Sequence, residues 1–210
     1  MIGKLRFLIA VIVGKISAFL LDKIFKRGTN TPGIIMLKIC PDALSRFIMP
    51  RRTICVTGTN GKTTTTSLVY EIVKAYNENT LLVGNIEIPY TGLALTSEEG
   101  GATVAEISSF QLETMLTFKP KVSAILNITP DHLDRHKTME NYIEIKKSIA
   151  KNQGEDDYCV LNYEDPILKE EARKLNNKVL FFSSKQTLEY GIYLQNEKIV
   201  YAENGTVTPI

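Results

Sequence analysis

The stretch Thr53-Ile-Cys-Val-Thr-Gly-Thr-Asn-Gly-Lys-Thr-Thr-Thr-Thr66 decides how this chain is read. An apolar β-run passes through two glycines into a lysine and a hydroxyl-rich helix start. A loop of this kind turns its backbone N–H groups onto anionic oxygens, and Gly58 and Gly61 permit the dihedrals and close approaches that a Cβ would block. Lys62 adds a mobile positive charge, Thr63 a hydroxyl for a Mg²⁺ ion, and the following helix its N-terminal dipole and free N–H donors. Thr59, Asn60 and Thr64 complete the set expected to line the phosphates. The loop is a variant of the common phosphate-binding pattern, because Val56 stands where a glycine is usual, five residues before Gly61. Nucleotide triphosphate binding is the expectation.

Outward from this loop, strand and helix signals alternate. A strand at 53–56 leads to a helix at 63–76, a strand at 80–83 to a loop holding Pro89, and a strand at 103–107 to a helix at 110–118. A strand at 122–128 follows, then a polar loop with Pro130, a helix at 139–151, a strand at 158–161, a helix at 166–175 and a strand at 178–182. This order predicts an α/β fold, P-loop NTPase-like, with a mainly parallel sheet and helices on both faces. The tail from 191 to 208 changes character around Asn196-Glu197 and Asn204-Gly205 and predicts a small β-hairpin or meander. Ligands of such sheets bind at the carboxyl ends of the strands. The segments of interest are therefore 58–63, Gly84-Asn85, 106–109 and 127–136.

Bulk properties set bounds. At 210 residues the chain holds one large domain, or one domain and an appendage. Lys and Arg number 25 against 23 Asp and Glu, so no global field steers it toward nucleic acid. Cys40, Cys55 and Cys159 lack the spacing of a zinc site or disulfide framework, which fits a reducing, cytoplasmic setting with Cys55 and Cys159 as core residues. Residues 5–21 are largely apolar but carry Arg6 and Lys15, and a basic run follows. An N-terminal helix packed on the domain, a helix lying on a membrane surface through residues 4–26 and a transmembrane helix are all compatible, in that order.

Three further residues attract attention. Glu106 closes an apolar strand, where its carboxylate can hold Mg²⁺ opposite Thr63; the alternative is an acid serving the helix start at Ser108-Ser109. His132 lies in Thr-Pro-Asp-His-Leu-Asp-Arg-His, just after a strand end, and is the candidate metal or substrate ligand; His136 reads as solvated. Lys146 sits beside another lysine on a helix, a pattern that normally means surface.

These segments resemble the central ATPase domain of the Mur ligases, most closely the D-glutamate-adding type. The matching stretches are TGTNGKTT (57–64), VGNIEI (83–88), AEISSFQLE (105–113), NITPDHLDRH (127–136), MENYIEIK (139–146) and VLNYEDP (160–166). The loop alone would also fit folylpolyglutamate synthases; SSFQLE with DHLDRH points to the D-glutamate-adding type. The resemblance implies ATP as cofactor, with Lys62 on its phosphates, and two Mg²⁺ sites, one held by Thr63 and Glu106 and one near His132. It implies that Lys146 is carbamylated to support that second metal, and that Asn85, Ser108 and Gln111 lie near the substrate. The implied partners are UDP-N-acetylmuramoyl-L-alanine and D-glutamate, joined through an acyl phosphate.

Residues 1–50 instead resemble the start of MurT-type relatives, which amidate the lipid II stem peptide with a glutamine amidotransferase partner. The four-cysteine zinc insertion usual in those proteins has no counterpart in this sequence. The expected organisation is an N-terminal basic, helical extension at 1–50 and a Mur ligase central ATPase domain at 51–210, incomplete at its C-terminal end. Three readings follow: a D-glutamate-adding ligase or its central part, a MurT-type subunit, and a non-catalytic nucleotide-binding fragment.

Overall fold

The computed structural model describes residues 9–10, 12–13, 38–40, 52–86, 88–93, 96–98 and 100–210. The N-terminal extension and the membrane contact expected of 4–26 fall almost wholly outside the described residues. Among the described residues, no helix is long and apolar enough to cross a membrane.

Nine strands form one sheet: β1 (Arg52–Thr57), β2 (Thr80–Gly84), β3 (Ala102–Glu106), β4 (Val122–Ile125), β5 (Tyr158–Asn162), β6 (Lys178–Ser183), β7 (Gly191–Gln195), β8 (Lys198–Glu203) and β9 (Thr206–Pro209). Their spatial order is β2-β3-β1-β4-β5-β6-β7-β8-β9. The pairings from β2 through β7 are parallel, and β7, β8 and β9 pair antiparallel. The tail is thus a meander, as expected, and it joins the main sheet through β6. Its two tight turns carry Asn196, Glu197, Asn204 and Gly205 at positive φ, the backbone that two-residue hairpin loops demand.

Every residue of β3 is buried, as a central strand covered on both faces requires. From β1 the chain crosses to β2 on one side, returns through β3 and then continues to β4 on the other. The loop after β1 therefore opens at the point where the direction of winding reverses, the ligand-binding crevice of such sheets. Helix α1 (Lys62–Tyr76) follows that loop. Cys55, Val83, Ala105, Ile125, Cys159 and Leu161 from the strands pack with Leu112, Met115, Tyr142, Ile149 and Leu168 into one core. Cys55 and Cys159 are core residues, and burial raises both thiols well above the usual cysteine range.

Several elements are shorter than the periodicity predicts, each for a local reason. The helix expected at 110–118 is α3 (Ser109–Leu112), because the Thr114 hydroxyl takes the Gln111 carbonyl at 3.0 Å and the chain turns away. Strand β4 ends at Ile125: Leu126 N–H makes the last bond to β1, at Thr57 O, and Ile128 N–H then turns to the Asp165 Oδ2 side-chain oxygen. Asp165 also caps α6 (Pro166–Ala172) by accepting from Ile167 and Leu168 N–H, with Pro166 as a preset first residue. Helix α5 (Met139–Lys147) ends in a 3₁₀ turn at Ser148–Ala150. Two short helices had no sequence signal long enough to read: α2 (Tyr90–Leu93) after Pro89, and α4 (Leu133–His136) inside the polar loop.

Candidate active site

The loop after β1 is built as a cradle. Gly58 has φ +148°, and a Cβ there would press within 3.1 Å of Leu126 Cβ and 3.3 Å of Asn127 N; Gly61 has φ +78° and starts α1 from the left-handed region. Asn127, at the end of β4, holds the loop's shape. Its Oδ1 accepts from Thr59 N–H (3.1 Å) and Asn60 N–H (2.8 Å), and its Nδ2 donates to Asn60 O at 3.0 Å. Lys62 Nζ folds back onto Thr59 O at 2.8 Å, a contact that phosphate oxygens can replace.

Parallel register brings the second strand end to the same level, since Glu106 pairs with both Val56 and Gly84. Glu106 is 2% exposed; its Oε2 accepts from Thr63 Oγ1 at 2.8 Å and its Oε1 from Asn85 Nδ2 at 3.0 Å. A buried carboxylate joined to a hydroxyl at the mouth of a phosphate cradle is a hard-oxygen donor pair that suits Mg²⁺. Among the described residues, no group of three His, Cys, Asp or Glu stands ready to hold a metal without such help from phosphate or water.

Lys146 is not a surface residue. It is 2% exposed, and its Nζ donates to Gly58 O at 2.9 Å and Thr57 Oγ1 at 3.2 Å, above the Tyr142 ring at 5.3 Å. Burial pushes its pKa down to about 7, with the Lys62 charge adding to the effect and Asp131 and Glu106 opposing it. The physical expectation fails because α5 turns this face inward, placing the amine beneath the phosphate loop. Lys147 takes the outer course and pairs with Glu144 and Glu171.

The remaining candidates divide. Ser108 and Gln111 form a capping box at the start of α3, with Ser108 N–H donating to Gln111 Oε1 at 2.8 Å. His132 heads α4 with φ +51° and a side chain 47% exposed; it contacts Asp131 (3.4 Å) and the Phe110 ring (4.9 Å between centroids). Lys62, Thr63, Asn85, Glu106 and Lys146 therefore converge on the loop, and His132 stands on the neighbouring turn. His136, read from sequence as solvated, is 1% exposed. Asn127 falls in the 127–136 segment singled out from the sequence but carries no assigned role there, and Tyr142 was missed; Asn127 lies just past β4 at the crevice, and Tyr142 lies four residues before Lys146 on the same helix face, where its OH reaches Thr59 Oγ1 at 3.3 Å.

Residues 56–208 match the Mur ligase middle domain. The chain belongs to the Mur ligase family. Relatives in that family include the UDP-N-acetylmuramoylalanine–D-glutamate ligase of Lachnoclostridium phytofermentans, 54% identical over 149 residues, which are 71% of this chain and 33% of that one. The enzymes of the same name from Lachnospira eligens and Clostridioides difficile are 55% and 54% identical over 150 and 145 residues. They cover 71% and 69% of this chain, and 33% and 32% of their own length is matched. The chain thus spans about a third of the curated relatives it matches. Among solved Mur ligases, a UDP-N-acetylmuramoyl-L-alanyl-D-glutamate–2,6-diaminopimelate ligase superposes with TM-score 0.59 at 22% identity, over 86% of this chain and 42% of that one. MurF from Thermotoga maritima, solved with ADP, gives 0.58 at 21% identity, over 87% and 44%. These two share the fold.

Proposed function

We propose that this chain is the nucleotide-handling part of a D-glutamate-adding Mur ligase, with residues 51–210 as its central ATPase domain and 1–50 as an extension. The observation that carries the reading is the convergence of Lys62, the Thr63–Glu106 pair and buried Lys146 on one glycine loop. Relatives above 50% identity are ligases of UDP-N-acetylmuramoylalanine and D-glutamate, which supply the proposed substrates. The γ-phosphate of ATP passes to the alanine carboxylate of UDP-N-acetylmuramoyl-L-alanine, releasing ADP. The amine of D-glutamate attacks the acyl phosphate, and phosphate leaves as the amide forms.

A carboxylate and a triphosphate repel each other, so the site must neutralise both. The loop amides and Lys62 bind the phosphates, and Thr63 and Glu106 would hold a Mg²⁺ that screens their charge. Asn85 orients Glu106, and Thr57 and Gly58 orient Lys146. His132 stands toward the substrate side, where it would serve the second metal, with Ser108 and Gln111 shaping the same wall.

Lys146 suits carbamylation because burial and Lys62 leave its amine partly neutral near pH 7, and only the neutral amine attacks carbon dioxide. The product keeps one N–H for Gly58 O and adds an anionic head. In ¹³C-bicarbonate, a carbamate resonance is expected that grows as pH rises through about 7, fades in acid as the amine protonates, and is missing from Lys146→Arg. No resonance under Mg²⁺ and nucleotide would remove Lys146 from the second-metal role.

The function is tested by incubating the chain with Mg·ATP, UDP-N-acetylmuramoyl-L-alanine and D-glutamate and following ADP and the amide product by mass spectrometry. Product that requires all three substrates supports the ligase. The resemblance of residues 1–50 favours one other reading, amidation of lipid II with a glutamine amidotransferase partner, and product only in that mixture would select it. Nucleotide binding without product in either mixture would leave a binding module.

A further inference from the structure

Beside the phosphate site lies an arrangement that the reaction above does not use, buried at Ser109 and His136 and open to solvent at Arg135. His136 places Nε2 3.0 Å from Ser109 Oγ and Nδ1 3.1 Å from Glu113 Oε1. The Nδ1 contact makes no aligned hydrogen bond, so this buried atom faces the carboxylate without a hydrogen-bond partner. Arg135 grips the same carboxylate, Nε at 3.2 Å from both oxygens and Nη2 at 2.6 Å from Oε2. Phe110 stacks on the His136 ring at 5.6 Å, and Tyr142 meets it at 5.3 Å.

Serine, histidine and glutamate at these distances have the form of a nucleophile–base–acid relay. Ser109 is only 2% exposed, however, and is the first residue of α3, so its Oγ is closed to a substrate carbonyl. A relay shut away from substrate orients rather than reacts. Ser109 and Glu113 belong to the turn that follows Glu106, whereas Arg135 and His136 end the short helix that His132 begins. The carboxylate draws the ring proton to Nδ1, which leaves Nε2 to accept from the Ser109 hydroxyl.

We propose that Glu113 is a positioning residue: through His136 and Arg135 it locks α4 onto α3 and so fixes where His132 stands relative to the Glu106 strand end. A four-residue helix cannot hold its own position by backbone bonds alone, which is why the lock is needed. The lock rests on the ligase reading only for the substrate-side role of His132.

The chain has two histidines, so ¹⁵N–¹H correlation of the imidazoles resolves both. In the unaltered chain one ring is expected as a fixed Nδ1–H tautomer. In Glu113→Gln that ring should lose its tautomer preference and the other should shift or broaden, while Mg·ATP affinity stays within about twofold. Arg135→Lys should disturb the His132 resonance and leave the His136 tautomer in place. If the chain ligates, Glu113→Gln should lower kcat by about tenfold with the KM for ATP unchanged. A fixed Nε2–H tautomer in the unaltered chain, or two unchanged rings in Glu113→Gln, overturns the lock. Absence of Mg·ATP binding with the expected spectra overturns the nucleotide-handling reading and leaves the lock standing. Glu113→Gln keeps the side chain's shape, so folding is not the variable.

Discussion

Lys62→Ala is expected to weaken Mg·ATP binding by roughly 100-fold while leaving the fold intact. The side chain's contact in the protein is one hydrogen bond to Thr59 O at 2.8 Å, three residues away on the same loop. Losing such a bond costs about 1 kcal/mol, little against the stability of a domain. The loss at the triphosphate is greater, because Lys62 is the flexible point charge of the loop and the backbone amides bring only partial charges. Calorimetric titration with Mg·ATP, read beside a thermal melt, separates the two effects. Near-native affinity with a native melt would show that the loop is not the phosphate site. The same substitution should raise the pKa of Lys146 from about 7, since the Lys62 charge is one of the two influences that depress it. Carbamate formation at neutral pH should fall accordingly.

Gly84→Ala is expected to cost about 4 kcal/mol or more and to take the metal pair with it. Gly84 has φ +109°, and a Cβ built there lies 2.1 Å from Glu106 O and 3.1 Å from Glu106 N. The atoms in the way are backbone atoms of β3, which cannot turn aside as a side chain can. Adjacent bonds would be strained too, because Asn85 N–H donates to Glu106 O at 2.8 Å and Asn85 Nδ2 to the Glu106 carboxylate. Urea unfolding should therefore show a lower midpoint, and Mg²⁺ should no longer strengthen ATP binding at urea concentrations where the variant is still folded. Gly100→Ala provides the contrast: a Cβ there meets nothing within 4 Å, and its effect should stay within about 0.5 kcal/mol. Equal midpoints for the two variants would mean that β2 and β3 do not meet as closely as the register requires.

The phosphate loop, the alternation of strands and helices, and the hairpin turns at 196–197 and 204–205 were legible in the sequence. Each rests on neighbours in the chain: glycine at a required positive φ, hydroxyls at a helix start, apolar runs of strand length. Helix ends were read too long at 110–118 and 166–175. There a threonine hydroxyl or a turn competes with the next backbone bond, and residue periodicity does not register that competition. The same limit applies to His136, whose neighbours in sequence mean a solvated residue, and to Lys146, whose neighbours in sequence mean surface.

What the sequence determined by itself is that a glycine-turned loop carrying Lys62 and Thr63 joins a central strand of an α/β sheet to a helix, because that geometry is encoded within a dozen consecutive residues. Only the tertiary structure decided the environment of the residues around it. Lys146 reaches Gly58 across 88 positions, Asn127 clamps Asn60 across 67, and His136 meets Ser109 across 27. Burial and a depressed lysine pKa are properties of such distant meetings, and parallel register and helix packing bring them about rather than any single stretch of chain.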